Sequence, residues 1–489
     1  MEYKLVIGLE IHIQLGLRTK AFCGCKNEFG GVPNSRICPI CLGLPGSLPS
    51  VNVELINSAI LAGHATNSKI RHVVKFDRKH YYYPDLPKGY QISQNDKPIC
   101  EGGSLLIETP SGLKKINIIR IHMEEDSGKS LHLLDSENQS YIDFNRSGAP
   151  LLEIVSAPDI SSGDEAVAFL TSLREIFRYL DLSECNMENG SFRCDVNVNL
   201  IITESGVEYK TPIAEIKNLN SFKSIKAAIE YEELRQQEEW VQFRKTLDSY
   251  GKHTRGFDDK NGVTVIQRDK ETVSDYRYFQ EPDLPLIEID DFYIDNIKKI
   301  KLIELPFDAR VRLKDQYGLS DFDVITLTTD KHLLRYFEEA AINASDPKKV
   351  ANWILSEVLS VLNDKGISVL EFNLLPSYIT ELVEFIVAGK ISGKMAKKVF
   401  LEMMSREVSA SVIISENQLE QINDKFVIKQ IVLEVLNENP KSIELYKKGK
   451  DHAIKFMMGQ IMKKSSGKIN PILANEILFT KFIKCMIYP

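Results

Sequence analysis

Three consecutive carboxylates, Glu124, Glu125 and Asp126, with His122 just before them, close the apolar, strand-like run Ile116-Asn117-Ile118-Ile119-Arg120-Ile121. Adjacent like charges repel unless a cation sits among them, so the segment reads as a metal or phosphate site; an acidic turn in solvent is the bland alternative. Glu10 and His12 stand two apart in an alternating segment whose other face is Leu9, Ile11, Ile13 and Leu15. On a strand both then project from one face, as a shared cation requires, although a pair that simply faces water would look the same. Asp195 occupies the polar face of Arg193 to Leu200, opposite Cys194, Val196, Val198 and Leu200, and Glu215 precedes a helix start at Ser221. Four segments thus offer acidic groups, and mostly oxygen ligands with one imidazole favour Mg²⁺ or Mn²⁺ over Zn²⁺.

Of eight cysteines, Cys23, Cys25, Cys38 and Cys41 form Cys-x-Cys, twelve intervening residues, then Cys-x-x-Cys. Two close pairs joined by a short loop let four thiolates converge tetrahedrally on one structural Zn²⁺; reduced, partly buried thiols are the alternative. Such a closed site organises a fold and leaves no position for substrate. A different chemistry is suggested by Arg78 to Gln91, where Lys79 and Lys88 interleave with Tyr82 and its neighbouring tyrosines, a composition suited to stacking and phosphate contact or to a loop pinned by aromatics. Asp126-Ser127-Gly128-Lys129-Ser130 resembles the end of a P-loop, but the first glycine would fall on Met123. ATP would need a site built on strands. No Gly-x-Ser-x-Gly elbow or readable Cys-His pairing supports an autonomous hydrolase.

These residues need elements to hold them. Up to about residue 290 the pattern is of short strands, interrupted by helices at Asp164 to Leu180 and Ser221 to Trp240, which predicts an α+β domain on an antiparallel sheet. Beyond Glu281-Pro282-Asp283-Leu284-Pro285 it turns helical: Ser345-Asp346-Pro347 starts a helix with the stripe Val350, Trp353, Ile354, Val358, Val361 and Leu362, stopped at Gly366. A second helix fits Ser377 to Ala388. In the tail, Phe426, Val427, Ile431 and Val435 are periodic before Asn439-Pro440.

With 489 residues, 43% hydrophobic and 26% charged, the composition is globular, and no apolar run of membrane length or leader is evident, so a soluble, cytoplasmic protein with no membrane association is expected. The net charge of −7 argues against indiscriminate nucleic-acid binding. Positions 440 to 489, however, carry ten Lys against three acids, suiting either a polyanion contact or a solvated helical face.

Taken together, the segments resemble one family: the B subunit (GatB) of the glutamine-dependent aspartyl/glutamyl-tRNA(Asn/Gln) amidotransferase, the GatB/GatE family. The matching stretches include Gly8-Leu9-Glu10-Ile11-His12, Phe22-Cys23-Gly24-Cys25, Cys38-Pro39-Ile40-Cys41, Tyr83-Pro84-Asp85-Leu86-Pro87-Lys88, His122-Met123-Glu124-Glu125-Asp126, Pro150-Leu151-Leu152-Glu153-Ile154-Val155, Arg193-Cys194-Asp195, Glu215-Ile216-Lys217-Asn218, Asp275-Tyr276-Arg277 and Gly467-Lys468-Ile469-Asn470-Pro471. The resemblance implies a catalytic cradle over 1–294 with a zinc knuckle, an all-α bundle over 295–405, and a small basic helical, YqeY-like, tRNA-binding tail over 406–489. It implies a carbon-nitrogen ligase with glutamine as amido donor. ATP phosphorylates the side-chain carboxylate of Glu-tRNA(Gln) or Asp-tRNA(Asn), and ammonia from a partner glutaminase, the amidase A subunit, displaces phosphate; a small C subunit completes a heterotrimer. By resemblance, Glu10, His12, Glu124, Glu125, Asp195 and Glu215 are catalytic Mg²⁺ ligands, Cys23, Cys25, Cys38 and Cys41 hold Zn²⁺, and Lys79, Lys88 and Tyr82 lie where phosphate or the acceptor end is contacted.

Overall fold

The computed structural model describes residues 1–132, 140–268, 276–419, 422, 424–447, 452–465 and 468–487. Asp275, Gly467, part of the lysine-rich tail and the Cys485 side chain lie outside what is described. The described residues form two compact units, Met1–Leu305 and Pro306–Pro489.

The first unit is built on an eleven-stranded sheet among the described residues. Seven strands position the candidate groups: β1 (Glu2–Gln14), β2 (Gly112–Glu125), β3 (Pro150–Ser156), β4 (Phe192–Glu204), β5 (Ile213–Lys217), β6 (Lys252–Asp258) and β7 (Val263–Arg268), in the spatial order β7-β6-β5-β4-β1-β3-β2. Strand β1 forms because its apolar residues recur every second position, and Leu5, Ile7, Leu9, Ile11 and Ile13 are all buried on one side. Its register with β4 runs from Glu2 opposite Thr203 to Ile13 opposite Phe192. A one-residue slip would bring Glu10 and His12 into the core, so the register is strongly specified.

The apolar side of the sheet is covered by α2 (Gly163–Tyr179) and α3 (Phe222–Phe243), after α1 (Val53–Ala65) earlier in the chain. Ser162 caps α2 by accepting from Glu165 N, and Ser221 caps α3 by accepting from Ser224 N. Phe169, Leu170, Leu173 and Phe177 of α2 are fully buried, each worth about 2–3 kcal/mol of transfer energy. The expectation of an antiparallel sheet fails at one place: β5 and β6 are parallel, with Ile213 beside Lys252. Parallel neighbours need a crossover, and α3 supplies it.

Between α3 and the far edge of the sheet lies a buried polar network. Glu232, fully buried, accepts from Arg235 Nε and NH2 at 3.0 and 2.9 Å and from Gln236 at 3.1 Å, and pairs with Arg255 Nε at 2.9 Å. Thr264 also donates to it, and Arg255 donates to the Thr264 carbonyl at 2.8 Å, tying α3 to β6 and β7.

Helix α4 (Asp291–Lys301) belongs to this unit: Ile294 and Ile297 enter its core, and Lys301 Nζ reaches Glu54 at 2.8 Å. Hence the unit closes at Leu305, beyond the expected 294.

The second unit is helical. Asp346 caps Pro347–Trp353, which continues through a π-turn, Ile354–Val358, into Leu359–Lys365 and ends at Gly366 (φ 61°). In the tail helix Lys425–Glu438, Val435 of the expected stripe is buried and Ile431 packs against the same cluster, Ile428, Val432 and Leu436 complete the buried face, and Phe426 is 67% exposed. That face packs with Met457, Ile461 and Leu478 in one cluster. Among the described residues no helix is long and apolar enough to cross a membrane.

Candidate functional site

The polar face of the sheet collects the candidate groups by register alone. His12 pairs with Glu153 of β3, which pairs with His122 of β2, while Glu10 pairs with Asp195 of β4. Directly opposed residues share a face, so these side chains and Glu124 rise from one side. Ligand atoms of His12, Glu124 and Glu153 all lie within 4.8 Å of one another. Around them, His122 Nε2 is 2.8 Å from Glu153 and 3.6 Å from Glu124, and His12 Nε2 is 3.3 Å from Glu153 and 3.4 Å from Glu124. Burial alone would depress both imidazoles, but the carboxylates, Glu153 foremost, overcome it; His12 is raised and His122 is pushed up to about 9. Glu153 is correspondingly held well below the carboxylate range by the two imidazoles, against the upward pull of burial.

This cluster fits a divalent cation on one internal observation. Glu124 Oε1 is buried and accepts no hydrogen bond, its nearest cationic neighbour being His12 Nε2 at 3.4 Å, and buried polar atoms are rarely left so. Carboxylates with imidazole suit Mn²⁺ as well as Mg²⁺.

The three consecutive acids are separated by their partners. Glu124 faces the imidazoles and accepts from Ser93 Oγ at 3.2 Å. Glu125 points to the other side of the strand, where it binds the Lys88 ammonium and accepts from Ile92 N at 2.9 Å. Asp126 takes Arg193 at 2.8 Å and lies 3.4 Å from Arg146 Nε. Side-by-side repulsion is thus relieved by a different cation for each acid.

Glu10, Asp195 and Glu215 share the polar face but belong to a separate group. Glu10 accepts from Asn197 at 2.9 Å, Asp195 from Lys217 at 2.7 Å, and Glu215 lies 3.4 Å from Lys217 and 3.3 Å from Lys252. Lys217 stays charged because Asp195 and Glu215 outweigh its burial. Lys79 stands among tyrosines, its ammonium 5.0 Å from the Tyr276 ring and 6.0 Å from Tyr81, and the charges of Glu124 and Glu153 help raise it against burial. Tyr82 is 73% exposed, with the Arg277 guanidinium 5.7 Å from its ring. Lys88 is engaged by Glu125.

Cys23, Cys25, Cys38 and Cys41 converge within the same 4.8 Å limit. The Cys38 N–H donates to Cys41 Sγ at 3.2 Å, and the fully buried Lys20 ammonium lies 3.7 Å from the same sulfur. The hydrogen bond from Cys23, aided by Lys20, pulls the Cys41 thiol down to about 5. That donor set is compatible with structural zinc. Gly43 (φ 67°) ends the short helix Pro39–Leu42, and a Cβ there would overlap Lys88 Cγ and stand 3.2 Å from its Cα.

Glu153 and Arg193 were not expected at the site from sequence, and His122 and Asp126 entered only as members of the charged run, not among the named ligands. Glu153 had a signal, a lone carboxylate inside the apolar Pro150-Leu151-Leu152-Glu153-Ile154-Val155, and His122 shares strand phase with Glu124.

The polar sheet face thus gathers a carboxylate-imidazole group with the geometry to hold a cation. The GatB/GatE catalytic domain family matches residues 5–295 and the GatB domain family residues 335–482. Relatives named as the B subunit of an aspartyl/glutamyl-tRNA(Asn/Gln) amidotransferase are 97% identical in Borrelia garinii subsp. bavariensis and 94% in Borreliella afzelii, both over 98% of this chain and 99% of theirs. That of Borrelia hermsii is 76% identical over the same shares. The chain belongs to the GatB family.

Proposed function

We propose that the chain is the synthetase subunit of an ATP-dependent transamidation, converting Glu-tRNA(Gln), Asp-tRNA(Asn) or both into the amidated forms. The observation that carries this is the convergence of His12, Glu124 and Glu153 on the polar sheet face. A carboxylate resists ammonia, whereas an acyl phosphate carries a good leaving group. The carboxylate oxygen bonds to Pγ as the Pγ–O bond to ADP breaks, and ammonia then displaces phosphate with loss of a proton. A divalent cation held by the cluster would neutralise phosphate oxygens during transfer.

The chain's own groups divide the remaining work. Glu153 fixes both imidazoles, and Lys79, kept cationic within its tyrosines, adds positive charge. Glu10, Asp195 and Glu215 form a second acidic group neutralised by Lys217 and Lys252, a place for a further cation if the lysines move aside. The four cysteines hold zinc as a structural element, and the lysine-rich tail contacts tRNA. Ammonia comes from an amidase A subunit, with a small C subunit in a heterotrimer; the name the relatives carry, that of a B subunit, supports such an assembly.

The test is the assembled enzyme with misacylated tRNA, γ-labelled ATP and Mg²⁺. ADP and amidated aminoacyl-tRNA that both depend on tRNA are expected. Absence of both refutes the reading, and phosphate release without tRNA points to a phosphohydrolase.

A further inference from the structure

Arg193 projects from the polar sheet face directly opposite His12, its register partner across β1 and β4. It stands among carboxylates: Asp126, Glu124 and Asp195 all raise it, Asp126 most. Only Asp126 accepts a hydrogen bond from it among the described residues, through one terminal nitrogen at 2.8 Å. Its Nε is buried with no partner at all. Its side chain is still 37% exposed, so the rest of the fork opens on the same face as the ligand cluster. A structural ion pair would satisfy the buried Nε; here the guanidinium is pinned at one corner with a donor left over.

Asp126 is built to do the pinning. Its carboxylate, 4% exposed, accepts from Ser127 N at 2.9 Å through the other oxygen, and its own N–H is fixed to the Ala149 carbonyl at 2.8 Å. Arg146 approaches the oxygen shared with Arg193 and also donates to the Ser127 and Gly128 carbonyls at 3.2 and 2.6 Å, stiffening the turn that carries Asp126.

From this geometry we infer that Arg193 is a catalytic residue of the phosphoryl transfer, donating the remaining N–H groups of its terminal nitrogens to the oxygens of the phosphoryl group in transit, and that Asp126 is its positioning residue. The inference rests on the phosphoryl-transfer reading above. As the bond from the substrate carboxylate to Pγ forms and the bond to ADP breaks, charge spreads over three phosphoryl oxygens. A planar fork whose orientation is fixed beforehand meets that charge without reorganising. Arg193 takes no proton and forms no bond; it returns to the same pose when ammonia releases phosphate.

The experiment compares wild type, Arg193→Ala, Arg193→Lys, Asp126→Asn and the Arg193→Ala/Asp126→Asn double variant in the complete assembly, reading tRNA-dependent ADP formation, Mn²⁺ affinity by electron paramagnetic resonance, and thermal melting. Arg193→Ala is expected to lower kcat by about 10²–10³-fold with Mn²⁺ affinity retained. Lys restores part of that loss without changing the KM for ATP, and Asp126→Asn adds nothing once Arg193 is gone, because it acts through Arg193. If Arg193→Ala does not fold, Arg193→Lys carries the test through a kcat loss of at least about tenfold. Wild-type turnover in Arg193→Ala or Arg193→Lys, loss of Mn²⁺ affinity in parallel with kcat, or an additive effect of Asp126→Asn would each overturn the assignment. An active wild type with an equally active Arg193→Ala removes this inference alone; an inactive wild type removes the transfer reading and the inference with it.

Discussion

Glu232→Gln isolates what the buried network behind the sheet contributes. The substitution keeps the shape and removes the charge that Arg235 and Arg255 share. Burial by itself would raise Glu232, but Arg235, Thr264 and Arg255 hold it below the usual carboxylate range. Arg235 is held up by the same contact, while Arg255 is pushed down by its own burial despite it, so Arg235 is the firmer partner. Arg255 has nowhere else to go, since its side chain is only 8% exposed and its other acceptors are the Thr264 oxygens. Leaving a buried charge unpaired costs about 3–5 kcal/mol. For a unit of this size, about 2 °C of melting temperature accompanies each kcal/mol, which gives a drop of roughly 6–10 °C at pH 7. Because the folded-state pKa of Glu232 is depressed, its stabilisation is fully present above the ordinary value of 4.5 and is lost as pH falls through the depressed value. The gap between variant and wild type should therefore close in acid. Calorimetric melts at several pH values check both parts. A neutral-pH melting point within about 1 °C of wild type, or a gap that persists in strong acid, would refute the reasoning.

Glu153→Ala should weaken Mn²⁺ binding by at least about 100-fold, measured by electron paramagnetic resonance; affinity within threefold of wild type would place the cation elsewhere. Cys41→Ser should empty the knuckle, read as zinc per chain by elemental analysis, and unchanged zinc content would contradict the four-sulfur site. Glu125→Ala should lower amidation indirectly, by leaving the Lys88 ammonium unpaired on the other side of the strand, while tRNA binding is largely kept, and unchanged amidation would refute that link. Lys79→Ala should cut transamidation by at least about tenfold, and full activity would end its assigned contact with phosphate.

What could be read from sequence was what strand alternation controls. The burial of Leu9, Ile11 and Ile13 opposite Glu10 and His12, and the cap at Ser221, follow from local pattern and appear as expected. The four-cysteine convergence was equally legible, since short spacings leave thiols few places to go. Partnership across the sheet was not. Glu153 and His122 join His12 only through the order β2-β3-β1, which no local signal encodes. Alternation should also have separated Glu124 from Glu125, yet the charge run invited reading them as one group. The parallel β5–β6 pair escaped for the same reason, being decided by where α3 returns the chain.

Gly43 gives the cysteine knuckle a reach beyond its own sulfurs. Its bare backbone is the seat on which Lys88 rests, and Lys88 in turn grips Glu125 at the end of the acidic strand. Oxidation of a thiol, or a side chain added at Gly43, would therefore arrive at the active face as a displacement rather than as a missing ligand. Damage at the knuckle would look, in an assay, like a kinetic defect in an otherwise folded enzyme.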